Sequence, residues 1–189
     1  MKVSPRYKMP LKRRSQKKTN YKRRLGLLLS GKPRLVVRKS LRHMKAQLVK
    51  YERAGDKVLV SATTHDLENF GWKGSTSNIT SAYLLGFLIG TKAVKKKAKE
   101  AVFDIGLQRS LAGTRIYATL KGAVDAGMEI PCSEDIFPSE ERIAGKHIES
   151  YGKALKEKDP QKFKSVFTKS NPEQVPKMFE SVKAKISKG

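Results

Sequence analysis

Residues 31–47 read GKPRLVVRKSLRHMKAQ, and their reading decides how the rest of the chain is arranged. Pro33 stops whatever precedes it and biases Lys32 toward an extended backbone. Leu35, Val36 and Val37 then follow as three consecutive aliphatic residues, two of them β-branched, which favours a buried strand over a helix. Arg34, Arg38, Lys39, Arg42 and Lys45 surround that strand, and Ser40, His43 and Gln47 add hydrogen-bonding groups. A strand that buries its aliphatic residues and presents such a set at its ends and edge suits phosphates and sugar hydroxyls. The plainer alternative is a core strand with solvated flanks, and the charge distribution along the chain weighs between the two.

Working outward, residues 46–52 read as a second strand, with Ala46 and Leu48 on one side and Gln47, Val49 and Tyr51 on the other. Arg53-Ala54-Gly55-Asp56 is a turn, and residues 57–63 (KVLVSAT) form a third strand. Strands with such short links predict an antiparallel meander. On the N-terminal side, Thr19 or Asn20 caps a helix. Tyr21, Leu25, Leu28 and Leu29 fall on one helical face, with Lys22, Arg23 and Arg24 off it. The expectation is that one side of this helix docks on the domain while the other offers cations. Ser30-Gly31 ends it ahead of Pro33.

Downstream, residues 64–77 are a polar loop containing Phe70-Gly71-Trp72-Lys73-Gly74. A helix over 79–97 is apolar around most of its first turns, which predicts deep burial. Its end carries Lys92, Lys95, Lys96, Lys97 and Lys99, cations that suit the helix dipole. Residues 100–105 read as a strand, and Thr114 starts another helix with Ile116, Leu120, Ala123 and Val124 as its stripe. Met128-Glu129-Ile130 predicts a short last strand. A helix after the meander, returning to a strand, implies a parallel crossover. Another helix is expected from Phe137-Pro138-Ser139-Glu140-Glu141 to about Leu155. Two short amphipathic helices follow, one with Phe163, Val166 and Phe167, the other with Val175, Met178, Phe179, Val182 and Ile186. Pro176 makes the latter kink or start late. The fold class is α/β: a single domain with a mixed β-sheet packed by helices, a basic N-terminal arm and a helical C-terminal extension. The boundaries are 1–18 for the arm, 19–155 for the domain and 156–189 for the extension.

The 189 residues carry a net charge of +24, placed unevenly. The first 53 hold 19 Lys and Arg against one acid, Glu52, while residues 54–146 hold 12 against 11. A basic arm on a neutral domain points to a polyanion, nucleic acid first. A membrane is a poorer fit because the arm lacks the aromatic and leucine face of an interfacial helix. Residues 1–18, with eight cations and no acid, cannot bury enough apolar surface to order alone and read as an arm that folds on a partner; Tyr7 within it either stacks on a base or packs. Cys132 is the single cysteine, and the three histidines are widely spaced, so no metal or other cofactor is expected. The longest apolar run is eight residues and no signal region opens the chain, so a cytoplasmic protein is expected. Lys73-Gly74-Ser75-Thr76 lacks the residue order of a phosphate loop, and no nucleophile elbow or zinc-protease motif is present. The carboxylate pairs Asp66 with Glu68 and Glu134 with Asp135 read as caps or surface charges. The rivals to a structural RNA-binding role are an RNA-processing enzyme built on those pairs and a DNA-architectural basic protein.

A set of ordered segments carries more than any one motif. These are Ser4-Pro5-Arg6-Tyr7-Lys8, Thr19-Asn20-Tyr21-Lys22-Arg23-Arg24-Leu25, residues 29–40, Phe70-Gly71-Trp72-Lys73-Gly74, Asp104-Ile105-Gly106-Leu107, Leu120-Lys121-Gly122-Ala123 and Ile136-Phe137-Pro138-Ser139-Glu140-Glu141-Arg142. Over about residues 1–155 the chain resembles the archaeal form of the large-subunit ribosomal protein family that binds 5S ribosomal RNA, numbered eighteenth in the bacterial series. The resemblance implies a structural, non-catalytic constituent of the large ribosomal subunit. Its implied partners are 5S rRNA, the large rRNA to which it attaches the 5S molecule, and neighbouring proteins of the central protuberance. It places RNA contacts on Arg6, Lys8, Lys12, Arg13, Arg14, Tyr21, Arg24, Arg34, Arg38, Lys39, Ser40, His43 and Gln47. The loop with Trp72 and Lys73 precedes a helix N-terminus and joins that set; Trp72 either stacks on a base or packs beneath the loop.

Overall fold

The structure, a computed structural model, describes residue 6 and residues 8–167 and 171–188; Tyr7 lies outside them. The meander forms as its alternation predicts. Strands β1 (Arg34–Lys39), β2 (Met44–Lys50) and β3 (Lys57–Thr63) pair antiparallel. β4 (Val102–Asp104) joins the free side of β1 in parallel, giving a mixed sheet of order β3-β2-β1-β4. The strand expected at 128–130 reduces to one parallel bridge between Glu100 and Glu129. Pro131, with no N–H to donate, follows directly.

In the arm, α1 (Lys12–Ser15) is a single turn with no buried residue. α2 (Tyr21–Leu28) is capped by Asn20, whose side chain accepts the Arg23 N–H. Of the expected docking face of α2, Tyr21 and Leu28 are half-buried, while Leu25 is 61% and Leu29 80% exposed, and no residue of the helix is fully buried. Its half-buried side is Tyr21, Arg24, Leu27 and Leu28. The helix is thus turned so that Arg24 joins these apolar side chains on the inner side while Leu25 and Leu29 face out.

α3 (Ile79–Lys95) starts at Asn78, whose side chain accepts the Ser81 N–H at 2.7 Å. It lies on β2 and β3, with α4 (Arg115–Asp125) against it and reaching β1. Leu84, Leu85 and Ile89 are wholly buried, each such side chain contributing about 1.5–3 kcal/mol. α3 and α4 approach closely because Gly86 and Gly122 meet at their crossing: a Cβ on Gly86 would sit 1.9 Å from the Thr119 carbonyl oxygen. The helix expected from 137 to 155 is instead two, α5 (Glu140–Ala144) and α6 (Lys146–Lys158), broken at Gly145. α7 (Pro160–Val166) begins on its proline. A 3-10 turn, Pro172–Gln174, leads into α8 (Val175–Lys188), so Pro176 falls in the first turn, where its missing N–H is harmless. α8 buries Val175, Phe179, Val182 and Ile186 against α3, with the Phe179 ring 5.5 Å from that of Tyr83.

Candidate nucleic-acid interface

Side chains alternate across a sheet. Leu35, Val37, Met44, Ala46, Leu48, Val60 and Ala62, none more than 6% exposed, make the face that α3 and α4 cover. The opposite face therefore carries Arg34, Val36 and Arg38 from β1, and Lys45, Gln47 and Val49 from β2. Register sets Gln47 between Val36 and Ser61, and Lys45 between Arg38 and Thr63. The result is a row of cations and hydrogen-bonding groups on a rigid sheet.

α2 lies over one end of this face, and ion pairs join the two. Asp56, in the β2–β3 turn, receives Arg24 Nη2 and Arg34 Nη2, each at 2.8 Å. Asp104, at the end of β4, receives Arg34 Nη1 at 2.8 Å and Arg38 Nη2 at 3.2 Å. Arg38 Nη1 also donates to the carbonyls of Val37 and Asp104 at 2.8 Å. The Arg38 guanidinium lies against Gly106, whose φ of +65° favours glycine, and a Cβ there would come within 2.8 Å of Cζ and displace the guanidinium. The hydrogen bond from Arg24, with its charge and that of Arg34, holds the Asp56 carboxyl below its ordinary value. Between α2, the arm and this network runs a groove of about 850 Å³, whose cations are Arg13, Lys18, Arg23, Arg24, Arg34 and Arg38.

The hairpin between β1 and β2 is closed by Ser40: its hydroxyl donates to the His43 carbonyl at 2.8 Å and accepts the His43 N–H at 3.0 Å. The His43 ring stacks on His65, centroids 4.4 Å apart. Thr76 Oγ1 donates to the Arg42 carbonyl at 2.7 Å, tying the loop before α3 to this hairpin.

The structure gathers Arg13, Tyr21, Arg24, Arg34 and Arg38 around one groove. Gln47 lies on the sheet face, and Lys39, Ser40 and His43 at its hairpin end. Arg6, Lys8, Lys12, Arg14 and Lys73 are exposed. For Arg34 the structure corrects the expected contact, and for Trp72 it selects packing beneath the loop over stacking on a base. Arg34 is 3% exposed, with its guanidinium turned to two carboxylates rather than outward. Trp72 is 2% exposed, its indole N–H donating to the Ser75 carbonyl at 3.2 Å, so the ring is core and offers no face to a base. Asp66 accepts the Thr63 N–H and hydroxyl, acting as a turn cap. Lys45, read from the sequence as one of the cations around β1, stands on the open sheet face, and Ser61 joins it there through its register with Gln47. Sequence reasoning missed Asp56 and Asp104, which lie 22 and 70 positions from Arg34 with no local pattern to mark them. Among the described residues no helix is long and apolar enough to cross a membrane. A family model described as ribosomal large subunit proteins 60S L5 and 50S L18 matches residues 5–102 and 93–133.

Proposed function

This chain belongs to the family of ribosomal large subunit proteins 60S L5 and 50S L18, and from that premise we propose that it binds 5S ribosomal RNA and helps attach it to the large rRNA. The family is one of ribosomal structural proteins, not of enzymes. The observation that supports the finer reading most is the sheet's second face. There Arg38, Lys45 and Gln47 are fixed in register beside a groove whose rim adds Arg13, Lys18 and Arg23. Cations held on a rigid surface match a folded RNA by shape, whereas a flexible run would bind any polyanion alike. Lys39 and the hairpin extend the same surface, and the exposed arm residues Arg6, Lys8, Lys12 and Arg14 reach further phosphates. Arg34 and Trp72 support the surface from beneath rather than touching RNA.

Competition measures this directly. At physiological salt the protein should prefer folded 5S RNA to unrelated RNA of equal length and to duplex DNA; equal affinity for all of them would refute the proposal. Incubation with RNA and Mg²⁺ should leave the RNA intact. Cleavage lost in Asp66→Asn or Asp135→Asn would establish the enzymatic rival instead.

A further inference from the structure

We propose that Asp56 and Asp104 are positioning residues, which lock α2 and Arg38 onto the open sheet face before RNA arrives. The inference rests on the RNA-binding reading above and names what prepares that site. Its first support is the rotation of α2. The apolar stripe would turn Leu25 and Leu29 inward, yet they are 61% and 80% exposed while Arg24 faces the sheet. The half-buried side of this eight-residue helix is Tyr21, Leu27 and Leu28 together with Arg24, and the bridge between Arg24 and Asp56 selects the orientation that brings Arg24 in among them. The second support is the shape of the network. Each acid joins two arginines, and Arg34, buried between them, couples the two bridges into one unit running Arg24–Asp56–Arg34–Asp104–Arg38. The third is charge. A carboxylate in a phosphate-binding groove repels the ligand, so two acids there weaken binding by themselves unless they hold the cations in place.

That conflict of sign gives the test. Asp56→Asn removes a negative charge, and electrostatics alone predicts tighter RNA binding. Positioning predicts the reverse: full-length Asp56→Asn binds 5S RNA about tenfold more weakly, the size of one charge-assisted hydrogen bond. Its α2 amides also exchange faster with solvent while those of β1 and β2 keep their protection. Glu52→Gln, an exposed acid in the same connection with no ion pair among the described residues, is the control and binds as well as the parent or better. Equal or tighter binding by Asp56→Asn, or unchanged exchange in α2, overturns the proposal. Should Asp56→Asn also lose sheet protection, Arg24→Gln breaks the same bridge from its more exposed side. Faster α2 exchange there supports the lock, and unchanged exchange overturns it. If the parent protein shows no preference for 5S RNA, the RNA reading fails while the exchange data still judge the lock.

Discussion

Arg34 sits in the most cationic part of the sequence and yet belongs to the interior. Its side chain is 4% exposed and that of Asp104 8%, so each has given up its hydration and depends on the other. Replacing it with a hydrophobe of similar length, Arg34→Met, leaves Asp104 with Arg38 alone and Asp56 with Arg24 alone. The expected cost is about 1.5–3 kcal/mol of stability, less than for an uncompensated buried charge because each acid keeps one arginine. Urea unfolding measures it, and a loss under about 1 kcal/mol would show that the network is dispensable to the fold. Asp56 sets a pH dependence of known sign. Its folded carboxyl titrates below the ordinary value of 3.8, so its contribution is complete above that value and is lost as pH falls through the lower folded one. Protection of the α2 amides should therefore hold from neutrality down to about pH 4 and fall only on further acidification. Loss of α2 protection between pH 7 and 5, roughly, would assign the lock to some other group.

At the scale of elements, the tight crossing of α3 and α4 and the closure by α8 carry the core. Gly86→Ala puts a methyl group into backbone that neither helix can move away from, and overpacking of this kind costs about 1–3 kcal/mol or more. Ile186→Ala, at a site 1% exposed on α8, should cost about 2–5 kcal/mol with the denaturant m-value unchanged. A cost near zero would mean that α8 is not part of the cooperative unit. These elements also show what could be read in advance. The meander and the stripe of α8 were legible because alternation and helical spacing are local, and burial follows directly from them. The rotation of α2 was not, since Arg24 and Asp56 are 32 positions apart and only the fold brings them together. The choice between stacking and packing for Trp72 stayed open in the sequence, because it depends on a hydrogen bond inside its own loop and on α8 lying close by, where the Lys73 N–H meets Met178 Sδ at 3.2 Å. The expected strand at 128–130 had the right composition but met Pro131 before a ladder could extend.

Across the whole molecule the cations fall into two physical classes, and they should contribute differently to RNA binding. The described part of the arm has no buried side chain through α1, so its cations stand on an exposed segment and not on paired strands. The cations of the open face stand at fixed spacing on paired strands. Cations on an exposed arm neutralise phosphates with little demand on their arrangement, which gives affinity that depends on salt and is indifferent to fold. Fixed ones discriminate, because a phosphate in the wrong place leaves them unpaired. Deleting residues 1–18 removes eight cations. It should weaken 5S RNA and unrelated RNA to a similar degree and flatten the dependence of log K on log salt, by roughly 0.7–0.9 for each phosphate no longer neutralised. Lys45→Ala combined with Gln47→Ala leaves the neighbouring core residues Ala46 and Leu48 untouched. It should weaken 5S RNA by about 1–3 kcal/mol more than unrelated RNA, with little change in slope beyond the one charge removed. Salt titrations of both variants against both RNAs separate the two terms. Were the arm deletion to abolish the preference for 5S RNA while the double variant kept it, discrimination would reside in the arm, and the rigid face would be no more than a source of charge.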